Sequence, residues 1–246
     1  MSFAILPQQS PIDLGYAQPL TYRFPAGYFS FNWDAQETGH IVEGPHGKHI
    51  SFTNSVSHAD LILPGATSPT RFQMAQFHFH SLSEHRVNGH RWPLELHVVH
   101  TAIEPDPWSS GKDRTIYLVV GIFLDRQKAD GKKDEAAEKF FRGLTERLAE
   151  KEADDSKAWR APDPVRPRDL LPADPTAYWR YEGSLTSNVH APNGGYVSWI
   201  VLEEVKLIDG TVLDDYIARL KHEAKVPQEL DRRFVLHNPK AGGATA

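Results

Sequence analysis

Three histidines raise the first chemical question. His78 and His80 stand two residues apart in segment 72–80 (FQMAQFHFH), and His97 follows in segment 93–101 (PLELHVVHT). In an extended strand alternate side chains share a face, so both imidazoles of the His-x-His pair point the same way. Gln76 shares that face, and Phe77 and Phe79 take the other. In the second segment Glu95, His97 and Val99 share one face, and Leu94, Leu96, Val98 and His100 the opposite one. Between the segments lies Asn88-Gly89, a strong turn dipeptide. If the strands pair about that turn, the His97 face can be the His78/His80 face. Three neutral imidazoles converging on one ion, with no thiolate in the chain, point to catalytic zinc with three protein ligands and one open position. Gln76 and Glu95, each two residues before a histidine, can accept the ring N–H that a metal leaves free. A His-x-His pair by itself is more often structural than ligating; the third histidine and the two acceptors carry the argument.

The elements that must position these residues are mostly strands. Besides the two alternating segments, 116–124 (IYLVVGIFL) is a continuous apolar run suited to a strand buried on both faces, and 197–207 (VSWIVLEEVKL) reads as one long strand. Two helices are predicted. Residues 134–151 place Phe140, Phe141, Leu144 and Leu148 on one stripe, and 211–221 follow the Asp209-Gly210 turn. Residues 162–175 hold five prolines and read as loop or extended chain. The expected fold class is mainly β: a single domain over 1–246 with peripheral helices, a short lead at 1–8 and a frayed tail at 240–246.

Composition narrows the function. Ten of the 13 histidines fall between His40 and His100, a density that favours a metal or proton-transfer site. With no cysteine there is no disulfide, thiolate nucleophile or cysteine-bound zinc. The 246 residues are 40% hydrophobic and 24% charged, as in an ordinary globular protein. Lys+Arg is 27 against Asp+Glu 32, net −5, which argues against nucleic acid as a partner. No apolar run approaches the roughly 18 residues of a membrane helix. The first residues lack the basic start of a signal peptide. A cytoplasmic location is therefore expected, with a secreted or periplasmic mature chain as the alternative.

The spacing His78-x-His80-x3-Glu84 resembles the first motif of the cupins. No stretch after residue 100 matches the second, which joins Pro-x-Gly to a further histidine on a later strand. A wider set of motifs resembles the α-class carbonic anhydrase family: QSPIDL (9–14), QFHFH (76–80), SEH (83–85), PLELHVVH (93–100), VVGIFL (119–124), YWRYEGSLT (178–186) and WIVL (199–202), in family order. The resemblance implies a large, mostly antiparallel twisted β-sheet with a conical active site. It implies reversible hydration of CO2 to bicarbonate and a proton by zinc-bound hydroxide. On that resemblance His78, His80 and His97 are the zinc ligands, and Gln76 and Glu95 the partners of His78 and His97. Thr186 accepts a hydrogen bond from the hydroxide, and Glu84 takes the threonine proton. Val99, Val119, Leu185, Val197 and Trp199 form the apolar wall where CO2 sits. His40, in Gly39-His40, exports the proton, with His46 and His190 as other candidates. Sulfonamide-type inhibitors are expected ligands beside CO2 and bicarbonate.

Three features depart from the family pattern. Only eight residues precede Gln9, where the family has a Trp-x-Tyr element. SNVHAPNGG at 187–195 replaces its Thr-Pro-Pro, and 230–239 matches its closing segment loosely. The ligands, Thr186 and Glu84 are all retained, which favours an active enzyme over a zinc-bearing binding module.

Overall fold

The computed structural model describes residues 8–44, 47–106, 111–128, 131, 133–154, 159–161, 165–187, 197–220 and 224–240. Residues 1–7 and 241–246, His46, His190 and positions 188–195 of the polar loop lie outside them. Among the described residues, thirteen strands form one sheet. In chain order they are β1 (Leu20–Thr21), β2 (Phe29–Asn32), β3 (Gly39–Gly44), β4 (Gly47–Phe52), β5 (His58–Leu61), β6 (Thr70–Ser81), β7 (Leu94–Pro105), β8 (Asp113–Gln127), β9 (Trp159–Arg160), β10 (Tyr178–Gly183), β11 (Val197–Leu202), β12 (Lys206–Asp209) and β13 (Leu236–Asn238). The main path runs β1-β13-β10-β11-β8-β7-β6-β4-β3-β9, with β12 beside β8 and the β2–β5 ladder on β6. Pairing is antiparallel except at β1–β13, β8–β11 and β8–β12. The mainly β expectation holds.

The three longest strands, β6, β7 and β8, form the centre, and the sequence reasons are visible in them. β6 and β7 pair antiparallel, as expected from the turn between them. Asn88 and Gly89 both have positive φ, 51° and 78°, and Val87 and His90 exchange backbone hydrogen bonds across them. That is the two-residue turn whose twist suits a hairpin.

One face of the sheet packs Phe77, Phe79, Leu96, Val98, Leu118, Val120 and Ile122 against two helices. In α1 (Glu135–Ala153) Asp134 caps the first turn by accepting from the Ala137 N–H at 3.1 Å. Its Phe141 meets Phe79 and Tyr216 with ring centroids 5.4 and 5.2 Å away. Tyr216 belongs to α2 (Gly210–Ile217), capped by Asp209.

Three expectations are corrected. The strand foreseen over 197–207 is two strands. β11 leaves β8 at Val201↔Gly121, and β12 rejoins it at Lys206↔Leu124. Five steps on one side then face three on the other, so the surplus residues bend outward. The second helix ends at Ile217 rather than 221, because its last turn tightens: Arg219 and Leu220 N–H donate three residues back, to Tyr216 and Ile217. Within 162–175, Pro167–Leu170 form a 3-10 turn and Val165 bridges to Glu37.

Candidate metal centre

The opposite face of the sheet carries the polar residues singled out above. Register sets their positions. His78 stands opposite His97, His80 opposite Glu95, and Gln76 opposite Val99. Gly121 faces His97 and Val119 faces Val99; Trp199 faces Val119. The His97 face is therefore the His78/His80 face, as the alternation requires.

The three rings converge. One nitrogen from each of His78, His80 and His97 lies within 4.8 Å of the others. Ring centroids are 4.9, 5.3 and 4.7 Å apart, and all three side chains are buried. Their outer contacts set the tautomers. His78 Nδ1 is 2.9 Å from Gln76 Oε1, and His97 Nε2 is 2.9 Å from Glu95 Oε1. An oxygen acceptor draws the ring hydrogen to its own side, which leaves His78 Nε2 and His97 Nδ1 as lone-pair nitrogens facing inward.

Electrostatics agree with a cation there. Burial alone would keep Glu95 protonated, but the charges of and hydrogen bonds from His85 and His97 outweigh it and hold its pKa well below the usual carboxylate range. Burial pushes the His97 pKa down, and Glu95 and Glu84 more than restore it, so the net shift is upward. A ring whose proton is favoured by two carboxylates is one where a divalent cation can replace that proton. The donor set therefore fits zinc: three buried imidazoles, two with the far nitrogen already engaged, and no sulfur.

The remaining predicted residues fall around this centre. Glu84 is buried, its Oε1 accepting from the Lys225 N–H at 2.9 Å and lying 3.4 Å from His80 Nδ1. Its Oε2 is 3.9 Å from His97 Nδ1 and has no hydrogen-bond partner. Thr186 is buried just beyond β10, and no hydrogen bond joins it to Glu84. Val99, Val119, Val197 and Trp199 belong to one apolar cluster, and Leu185 packs on its edge. His40 on β3 stands opposite Ser51, itself opposite Gln76. That puts His40 on the ligand face two strands from β6, about 10 Å at strand spacing.

Sequence reasoning gave no role to His49, the register partner of His78 on β4. It also missed His85, Tyr181 and Ser10, which are buried in a hydrogen-bonded string behind Glu95. The QSPIDL, SEH and YWRYEGSLT motifs contain them, but no motif states a contact.

A sheet face that buries three convergent imidazoles beside an apolar wall defines a strand-borne metal centre. Comparison with known proteins narrows this class. Residues 3–236 match the eukaryotic-type carbonic anhydrase family. A putative carbonic anhydrase 3 of Caenorhabditis elegans is 31% identical over 242 residues, covering 93% of this chain and 89% of the relative. Among solved structures, the α-carbonic anhydrase of Thermovibrio ammonificans in complex with sulfanilamide superposes with TM-score 0.68 at 25% identity, covering 93% of this chain and 86% of the other. Dioscorin complexed with ascorbate shares the fold at TM-score 0.69 and 23% identity, covering 96% and 87%. The chain belongs to the eukaryotic-type carbonic anhydrase family. It is accordingly a zinc-dependent lyase that hydrates CO2 reversibly to bicarbonate and a proton.

Proposed function

We propose that His78, His80 and His97 hold the zinc ion of this carbonic anhydrase. The observation that carries the assignment is the group of three buried imidazole nitrogens within 4.8 Å of one another. When bound, zinc makes hydroxide available from water at neutral pH, an effect for which carbonic anhydrase is itself the standard case. The chain does the rest. Gln76 and Glu95 accept the outer ring hydrogens and so present the inner nitrogens as ligands. Thr186 supplies a buried hydroxyl just beyond β10, and Glu84 an acceptor held by the Lys225 N–H. Their role is to order the attacking oxygen toward CO2. Val99, Val119, Leu185, Val197 and Trp199 provide the wall against which CO2 rests. A substrate without a net dipole is favoured there, because an apolar lining holds no competing water. A sulfonamide inhibitor is expected at the same centre; the sulfanilamide complex of the Thermovibrio relative supports that reading.

The test is stopped-flow hydration of CO2 by zinc-loaded protein with a pH indicator. A rate clearly above buffer is expected, and a rate equal to buffer would sink the reading, leaving a zinc-bearing binding module.

Each turnover also yields a proton, and histidine titrates in the range needed to export it. His40 is proposed for that task, supported by its place on the ligand face. His40→Ala is expected to lower turnover in weak buffer, with added imidazole restoring it. Turnover unchanged by the substitution would discard His40.

A further inference from the structure

The turn that joins the two ligand strands carries a reactive dipeptide of its own. Asn88-Gly89 is open to succinimide chemistry, because glycine puts no side chain in the way of its own nitrogen. Both residues are exposed, so water and hydroxide reach them. The Gly89 nitrogen would give its proton to hydroxide and attack Asn88 Cγ. An N–Cγ bond forms, the Cγ–Nδ2 bond breaks, and Nδ2 leaves as ammonia after taking a proton from water. Water then opens the ring at either carbonyl. The product is aspartate or, with a methylene moved into the main chain, isoaspartate.

The fold opposes the first step. The segment at Asp13 runs beside the turn, where the Leu14 N–H donates to the Arg86 carbonyl at 2.8 Å. Asp13 Oδ2 accepts from the Gly89 N–H at 2.7 Å, and Oδ1 from the Asn88 N–H at 3.0 Å. Oδ1 also accepts from the Gly15 and Tyr16 N–H groups at 3.1 and 3.2 Å, which fixes the carboxylate in place. The proton that must leave Gly89 is therefore the one the carboxylate holds. The amide anion left behind would face a like charge. Both effects favour the neutral amide.

The Asn88 side chain is crowded as well. A Cβ at Gly15 would come within 2.3 Å of Asn88 Oδ1 and 2.5 Å of its Cγ, so the Gly15 main chain lies against the amide that must turn. Much depends on this turn. A two-residue turn sets the register of its hairpin, and isoaspartate would lengthen its main chain. The connection it closes, between β6 and β7, also carries Glu84.

We propose that Asn88 is a latent deamidation site and that Asp13 is its guard, withholding the Gly89 nitrogen from attack. The readout is mass spectrometry of the tryptic peptide VNGHR (87–91) after the folded full chain is held at pH 8, scored for exchange of the side-chain NH2 for OH. Asp13→Asn keeps the shape of the side chain and removes its charge. It is expected to convert Asn88 about tenfold faster than wild type, the low end for losing a hydrogen bond to a charged group. In urea, where the turn is undone, both proteins are expected to convert at one common rate, faster than folded wild type.

A general loss of stability is separated by Leu144→Val in α1, on the opposite face of the sheet. It is expected to lower the melting temperature while leaving the Asn88 rate unchanged. The proposal is overturned if folded wild type converts as fast as it does in urea, or if Asp13→Asn converts at the wild-type rate. It is equally overturned if Leu144→Val speeds conversion as much as Asp13→Asn does. Should Asp13→Asn fail to fold, Asp13→Ser, which also lacks the charge, is read in its place with the same expectation.

Discussion

His97→Ala is expected to reduce CO2 hydration to the buffer rate and to yield protein that loses its zinc on dialysis. His97 is one corner of a triangle of three rings. Its ring centroid is 5.3 Å from that of His78 and 4.7 Å from that of His80, and it alone joins the inner face to Glu95. Without it, two imidazoles remain, too few for the three-ligand set that a catalytic zinc needs. The Glu95 carboxylate also stays buried with one ring donor fewer, which costs stability whether or not metal is present. Two controls separate these effects. Val98→Ala, one residue on and facing the helices, is expected to lower the melting temperature while sparing zinc and activity. Zinc added to wild-type apoprotein is expected to raise the melting temperature, since a ligand that binds only the folded state stabilises it, whereas zinc added to His97→Ala is not. Stoichiometric zinc and wild-type hydration in the His97→Ala protein would refute the ligand assignment.

Acid is expected to destabilise the fold through a different histidine. His100 lies on the opposite face of β7, fully buried, and its Nε2 accepts from the Trp33 indole N–H at 3.1 Å. Burial lowers its pKa to about 4, only partly offset by the carbonyls of Leu118 and Val98. The sign follows from proton counts. In the unfolded chain His100 takes up its proton near pH 6.5; in the folded protein it does so only near pH 4. Above pH 6.5 neither state is protonated and His100 is silent. Between those values the unfolded state binds more protons, so stability falls as pH falls, and below pH 4 the loss is complete. At about 1.4 kcal/mol per pH unit the total is about 3 kcal/mol. Urea unfolding of wild type and His100→Phe at pH 7, 5.5 and 4.5 isolates the effect. The variant is expected to be less stable at pH 7, because Trp33 loses its acceptor, and to decline less on acidification. A stability difference that stays constant across the three pH values would contradict this account.

How far the site could be read in advance depended on the range of the interactions involved. The shared face of Gln76, His78 and His80 follows from strand alternation, which is a property of a few consecutive residues. The same holds for the Asn88-Gly89 turn and for the Phe140, Phe141, Leu144 and Leu148 stripe of α1. The break between β11 and β12 could not be read this way. Glu203-Glu204 interrupts the apolar run within 197–207, but only the pairing with β8, five steps against three, shows that the strand ends there and resumes at Lys206. His40 shows the same limit, since a Gly-His dipeptide does not state that its strand lies two places from the ligands.

By itself the sequence determined the donor chemistry. The choice of imidazole over thiolate and the acceptors two residues before His78 and His97 are local facts of composition and period-two geometry, whereas the apolar wall residues were named by the family resemblance. Only the tertiary structure decided which groups stand behind them. His85 and Tyr181 are 96 residues apart and Tyr181 and Ser10 are 171 apart. No local pattern encodes contacts of that range, because they arise when the central strands pair in register and carry the segments at Ser10 and Ser184 to one buried point.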